Sequence, residues 1–170
     1  MADNNLKKKA AQSSRYPFIA EHRGGPLKKE EHRKLMGWAI ECAEHVLPLI
    51  DTEADNRLIY ALEVAKEWEN DKISTGIAMK ASSGAHEAAR VAEDQVSKAI
   101  ARAIGQAVAT AHMADHSLGA AFYALKAVKL ANKNTAKEKE WQTEKLNRLP
   151  SHLTAMVKAG WKKKELDRRI

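Results

Sequence analysis

Apolar residues recur along the chain at the three- and four-residue spacing of a helix face. Leu35, Trp38, Ala39 and Cys42 make one stripe, and Leu58, Ala61, Leu62, Ala65 and Trp68 a second. Ile77, Ala81, Gly84, Ala85, Ala88 and Ala92 make a third. A fourth runs through Ala99, Ala103, Ala107 and Ala111, spaced by four, and a fifth through Leu118, Ala121, Phe122, Leu125 and Val128. The strict alternation of a half-buried strand occurs nowhere. Caps and breakers fall between the stripes. Pro26 suits the first turn of a helix over about 27–47, which Pro48 ends. The acidic connector ending in Asp55 is suited to cap the second helix, Ser74 or Thr75 the third and Asp94 the fourth. Asp115 or a neighbour begins the fifth, and Asn132 to Asn134 break it. Thr135 opens a sixth, charged helix with Trp141 as its large apolar anchor, and Pro150 stops it. Ser151 caps a short last helix that Gly160 ends. The connections are short, so neighbours should be antiparallel. The expected fold is all-α, a compact bundle of six to seven short helices.

Composition sharpens this picture. Of 30 alanines, 18 lie between Ala78 and Ala131. Alanine favours helix over strand, which excludes a sandwich or barrel, and methyl-sized side chains let backbones approach closely. The third to fifth helices should therefore form a tightly packed, alanine-rich centre. No apolar run is long enough for a membrane span, and no apolar segment follows Lys7, Lys8 and Lys9 as a secretory signal requires. The single Cys42 reads as a small buried hydrophobe in a reducing, cytoplasmic setting.

The net charge of +7 is unevenly placed. Residues 1–25 carry +3, residues 161–170 carry +3, and the body over 26–160 carries +1. The expected organisation is a flexible basic leader (1–25), one folded domain (26–160) and a basic tail (161–170). A basic nucleic-acid face on the body is not implied. Non-specific phosphate binding through Lys7 to Lys9 and Lys162 to Lys164 with Arg168 and Arg169 remains an alternative. Trp161 lies past the last apolar stripe and is a candidate exposed anchor. Trp38, Trp68 and Trp141 read as core.

Several polar residues border the alanine stripes. His86 and Arg90, four apart, share a helix side. An enclosed guanidinium needs an acceptor, for which Asp55 or Asp115 would serve. The outcome is either an ion pair that docks helices or a recognition pocket. Asp55 and Arg57 are a further pair. His112, Asp115 and His116 are the most suggestive local pattern. On one continuous helix the two imidazoles would share a face, half a divalent-metal site that His86 could complete. Asp115 as a cap would instead split them across a turn. No phosphate-binding glycine loop, Ser-x-x-Lys, Cys-x-x-Cys or Gly-x-Ser-x-Gly occurs.

The same residues carry a resemblance. In order they are Leu47-Pro48; Asp55-x-Arg57 with Ala61 and Trp68; Ala85-His86-x-Ala88-Ala89-Arg90; Ala101-Arg102-x-x-Gly105-Gln106 through His112-Met113 with His116; Glu140-Trp141-Gln142; and Leu149-Pro150. This set, spanning about 35–158, resembles the immunity-protein family of bacterial polymorphic toxin systems, the class numbered five, with its immunity-like domain. The resemblance implies an all-α cytoplasmic protein that binds and neutralises a protein toxin, with no catalysis and no cofactor. Its polar positions fall on Asp55, Arg57, His86, Arg90, His112 and His116, with no role attached to any of them. The alternative from the residues alone is a metal- or ligand-binding pocket, or an enzyme, built from His86, Arg90, His112, Asp115 and His116. Alanine-lined helices would also suit a homo-oligomer.

Overall fold

The apolar stripes become helices where the spacing places them. The computed structural model describes residues 2–170, so residue 1 of the expected leader lies outside the described residues. Among the described residues eight α-helices are formed: α1 (Ala2–Ala11), α2 (Lys29–Val46), α3 (Asn56–Glu69), α4 (Thr75–Val91), α5 (Gln95–Ala109), α6 (His116–Leu130), α7 (Thr135–Leu146) and α8 (Ser151–Lys163). Helices α2 to α8 are the seven that the stripes and breakers predict. Among the described residues there is no strand, only an isolated bridge between Ala20 and Leu27. None of the described helices is long and apolar enough to cross a membrane.

Helix α5 is the centre. It packs against α2, α3, α4 and α6. Alanines line its contacts, with Ala99, Ala103 and Ala107 buried beside Ala81, Ala85 and Ala89 of α4 and Ala120, Ala121 and Ala124 of α6. A methyl group contributes little transfer energy by itself, about 0.8 kcal/mol per buried carbon. The gain here is close approach: small side chains bring backbones into dispersion contact at high density. Larger side chains fill the remaining space, with Leu35, Met36, Ile100, Ile104, Leu118 and Leu125 essentially inaccessible. Cys42 is buried among them, and burial pushes its thiol well up, reinforced by the charges of Glu138 and Glu41.

The helix starts follow capping chemistry. Asp55 Oδ1 accepts from the Arg57 amide at 2.9 Å, Asp94 Oδ1 from the Ser97 amide at 2.8 Å, and Asn134 Oδ1 from the Lys137 amide at 3.1 Å. Ser74 caps α4 through the Ile77 amide. Each satisfies a donor that the first helical turn leaves open.

Buried polar groups dock the less apolar helices. On α7, Gln142 donates to the Ala121 carbonyl at 3.1 Å and to Glu138 at 3.0 Å, while its own carbonyl accepts from the Trp38 indole at 3.0 Å. Glu138 accepts from His45 at 2.8 Å, and the His45 ring stacks on Trp141 at 3.6 Å. On α2, His32 donates to the Thr110 carbonyl beside the edge of Trp68. Burial lowers the His32 pKa, against the opposing pull of that carbonyl.

The structure corrects five expectations. The leader is folded onto the body: α1 forms, and Ala10, Phe18, Ile19 and Ala20 are buried. Pro26 precedes α2 in an extended segment, because Leu27 pairs with Ile19 and Glu21 through backbone bonds of 3.0 and 2.9 Å. Gly160 lies inside α8, where an added Cβ would come within 3.0 Å of Leu118 and 3.1 Å of Phe18. Trp161 is only 8% exposed, its indole donating to Asp167 at 2.8 Å, so it is no surface anchor. On the third stripe, Ala78 and Ser82 face inward and Ile77 faces out. Trp38 is buried as expected, and Trp68 and Trp141 are partly so.

The Gly24–Gly25 turn joins leader to body. Gly24 has φ of +84°, the left-handed region that side chains disfavour. A Cβ on Gly25 would sit 2.0 Å from the Ile19 carbonyl oxygen, a backbone atom that cannot swing aside. Gly25→Ala is therefore expected to cost about 1–3 kcal/mol by forced overpacking. Urea unfolding, together with faster tryptic cleavage of residues 2–25, measures the loss.

Candidate functional site

The seven polar residues singled out from the sequence fall into separate places. Asp55 and Arg57 pair with each other, Nε to Oδ1 at 3.0 Å and a terminal nitrogen to Oδ2 at 2.7 Å, as an exposed cap on α3. Arg90 is a correction: its side chain is 60% exposed and forms a 3.9 Å ion pair with Glu87, not with Asp55 or Asp115. The buried stripe of α4 runs through residues 78, 81, 82, 85, 88 and 89, and position 90 lies about 100° past it, near the end of the helix. His112 is exposed in the turn before α6. The loop between α5 and α6 also separates His112 from His116, so the continuous helix that would share their faces is not formed. Among the described residues no three His, Cys, Asp or Glu side chains converge to hold a metal ion, and His86, His112 and His116 do not form a ligand set.

Two of the imidazoles are wedged between helices. His86 of α4 lies over Gly105 of α5, where a Cβ would be 2.6 Å from its Cε1. Its Nδ1 accepts from Arg102 at 3.0 Å. Burial lowers its pKa, helped by the charges of Arg102 and Arg90. One turn along α5, Gln106 lies over Gly119 of α6 and accepts from His116 Nδ1 at 2.8 Å. Burial lowers the His116 pKa, with Arg15 and Lys164 adding to it and Asp115 opposing. Each glycine thus makes room for a polar side chain bridging to the neighbouring helix.

Asp115 holds the most consequential contact. It is 4% exposed and starts α6, but its carboxylate does not cap that helix. It accepts instead from Arg15 of the leader, with Nε at 2.9 Å and a second bond from the guanidinium. It also accepts from Lys164 of the tail at 3.0 Å. Burial alone would raise the Asp115 pKa, but the two cations outweigh it and hold the carboxyl below its ordinary value. Lys163 adds a bond to the Ser14 carbonyl at 3.0 Å. The two basic ends of the chain therefore meet at one carboxylate.

Where they meet is a groove of about 920 Å³ between the leader, α6 and α8. Its floor is apolar, with Phe18, Leu118, Phe122 and Met156. Its rim holds Arg15, Lys163, Lys164 and Arg169, together with His116 and His152. The Arg169 guanidinium lies 5.3 Å from the centre of the Phe122 ring. A second cavity of about 540 Å³ lies between α7, α8 and the final turn, with Trp38 and Trp161 in its wall. There Lys139 sits 3.4 Å over the Trp161 ring and pairs with Asp167 at 3.1 Å. Sequence reasoning missed Arg15, Lys164, Arg102 and Gln106 as partners. The only signal was the i,i+4 spacing of Arg102 and Gln106 beside Gly105.

The fold and these contacts define an all-α protein in which His86, His116 and Asp115 link neighbouring elements. The chain matches the Imm-5 like putative immunity protein family over residues 25–149 and belongs to that family. No curated protein and no solved structure matches it.

Two outcomes follow. Arg15→Gln leaves the buried Asp115 with Lys164 alone and is expected to cost about 1.5–3 kcal/mol, the range for bonds to charged groups. The depressed Asp115 pKa means its contribution is complete above the unfolded carboxyl value of about 4 and is lost as pH falls through the lower folded value. Arg15→Gln should therefore move the acid-unfolding midpoint to higher pH, as followed by circular dichroism. His32, His86 and His116 have lowered folded values, so the unfolded chain takes up more protons near its ordinary imidazole pKa of about 6.5. Stability should then decline on going from about pH 7 to about pH 5.5, and urea midpoints at the two pH values measure this.

Proposed function

We propose that this protein is a cytoplasmic immunity protein that binds a cognate protein toxin in stoichiometric complex and neutralises it, with no catalysis of its own. The observation that carries this reading is the family match over residues 25–149. The geometry supports it. His86, Asp115 and His116 each engage a partner on another element, at Arg102, Arg15 and Gln106, which favours a positioning role for these groups. A rigid small-residue centre suits a binder, because little ordering cost is left to be met on association. A stable complex of this kind typically buries about 1,600 Å² in total, about 800 Å² on each partner, with a few central anchors.

The test is co-expression with candidate toxins taken from the reading frames that flank its gene. The expected outcome is rescue of growth and a one-to-one complex on size-exclusion chromatography. Titration of toxin activity should reach zero at one equivalent. Protection far below one equivalent, or rescue without a complex, would overturn the reading.

A further inference from the structure

We infer that the groove closed by the two ends of the chain is the docking face for an acidic segment of the partner, one carrying carboxylates beside apolar side chains. This rests on the neutralisation reading and names the surface that serves it. The argument is charge complementarity over an apolar floor. Four fixed cations line the groove, Arg15, Lys163, Lys164 and Arg169, and its one carboxylate is Asp115. Asp115 is already claimed by Arg15 and Lys164, and the His152 ring is engaged by Glu31 at 2.6 Å. Lys163, held on the Ser14 carbonyl at 3.0 Å, and Arg169, over the Phe122 ring, therefore carry charge that no acid lining the groove offsets. The body over 26–160 carries only +1 of the total +7, so most of the excess charge lies on the two segments that meet at this groove.

The floor distinguishes an acidic peptide from a nucleic acid. A phosphate strand is held by cations tracking its backbone along an open path with aromatic faces presented for stacking. Here the cations ring a concavity in which Met156 and Tyr123 are partly open, with Leu118, Phe18 and Phe122 packed beneath them and Arg169 over the Phe122 face. Apolar side chains of a peptide can enter such a floor while neighbouring carboxylates meet the rim. The volume of about 920 Å³ accommodates several side chains.

The probe is a short fluorescein-labelled peptide of alternating glutamate and leucine, with oligothymidylate and a glutamate–serine peptide as comparators, read by fluorescence anisotropy. Wild-type protein should bind the glutamate–leucine peptide saturably, more tightly than either comparator, and less tightly as salt is raised. K163E/R169E should weaken it at least tenfold, and K163Q/R169Q, the milder pair, should weaken it by a smaller factor with an unchanged circular dichroism spectrum. K72E/K80E changes net charge equally at exposed sites outside the groove and should bind as wild type does. Absent saturable binding, equal loss in K72E/K80E, or tighter binding of oligothymidylate would each overturn the inference. If a neutralised toxin binds K163E/R169E as tightly as wild type, the groove assignment falls and neutralisation stands. If the peptide behaves as expected but no toxin complex forms with either protein, neutralisation falls instead.

Discussion

The close approach of α4, α5 and α6 is the constraint from which the other features follow. A helix surrounded on several sides cannot carry long side chains on all of them at native density. Alanine on α5 and its neighbours resolves this, with Ala85, Ala89, Ala103, Ala107, Ala120 and Ala124 essentially closed to solvent. The same closeness dictates where polar side chains can go. At Gly105 and Gly119 even a methyl group would collide with the ring of His86 or the amide of Gln106. Polar links between the central helices therefore sit over glycine or at helix ends. Asp115 is of the second kind, because α6 begins there and its side chain is free to leave the helix.

Much of the fold is legible in the sequence, since it is written in local signals. Stripe spacing marks α2 to α8, and Asp55, Ser74 and Asp94 cap helices as their types predict. What local signals do not carry is the leader. Its helix α1 is polar, and its attachment depends on Arg15 meeting a residue 100 positions away and on a glycine turn packed against Ile19. Neither leaves a periodic trace. Gly160 misleads for a related reason: glycine after an apolar stripe reads as a helix end, yet here it admits Phe18 and Leu118 against the α8 backbone.

The candidate site is less legible, and the reason is angular. His86 and Arg90 share a side of α4 but flank its buried stripe. His86 leans toward α5 and finds Arg102, while Arg90, next to the last residue of α4, has only solvent and Glu87 beside it. Sequence spacing reports which residues share a side. It does not report where the edge of the contact lies. The expected cluster of seven is thus dispersed into the Asp55–Arg57 pair, His86 on Arg102, His116 on Gln106, Asp115 between Arg15 and Lys164, and the exposed Arg90 and His112.

The segregation of charge acquires a physical sense once the ends are folded. Two segments of +3 would repel if brought together alone. Asp115 offsets part of that repulsion at the point of closest approach, taking Arg15 from one end and Lys164 from the other. A buried carboxylate is costly without partners, and two nearby cations are costly without a carboxylate, so each makes the other tolerable. Fixing the ends in this way leaves Lys163 and Arg169 beside an apolar floor. Such a rim raises encounter rates with an acidic surface, whereas the floor governs how long a complex lasts. Recognition at this face is consequently inseparable from the fold of the termini: residues far from the alanine centre supply the charge, and that centre supplies the rigid helix ends on which the charge is mounted.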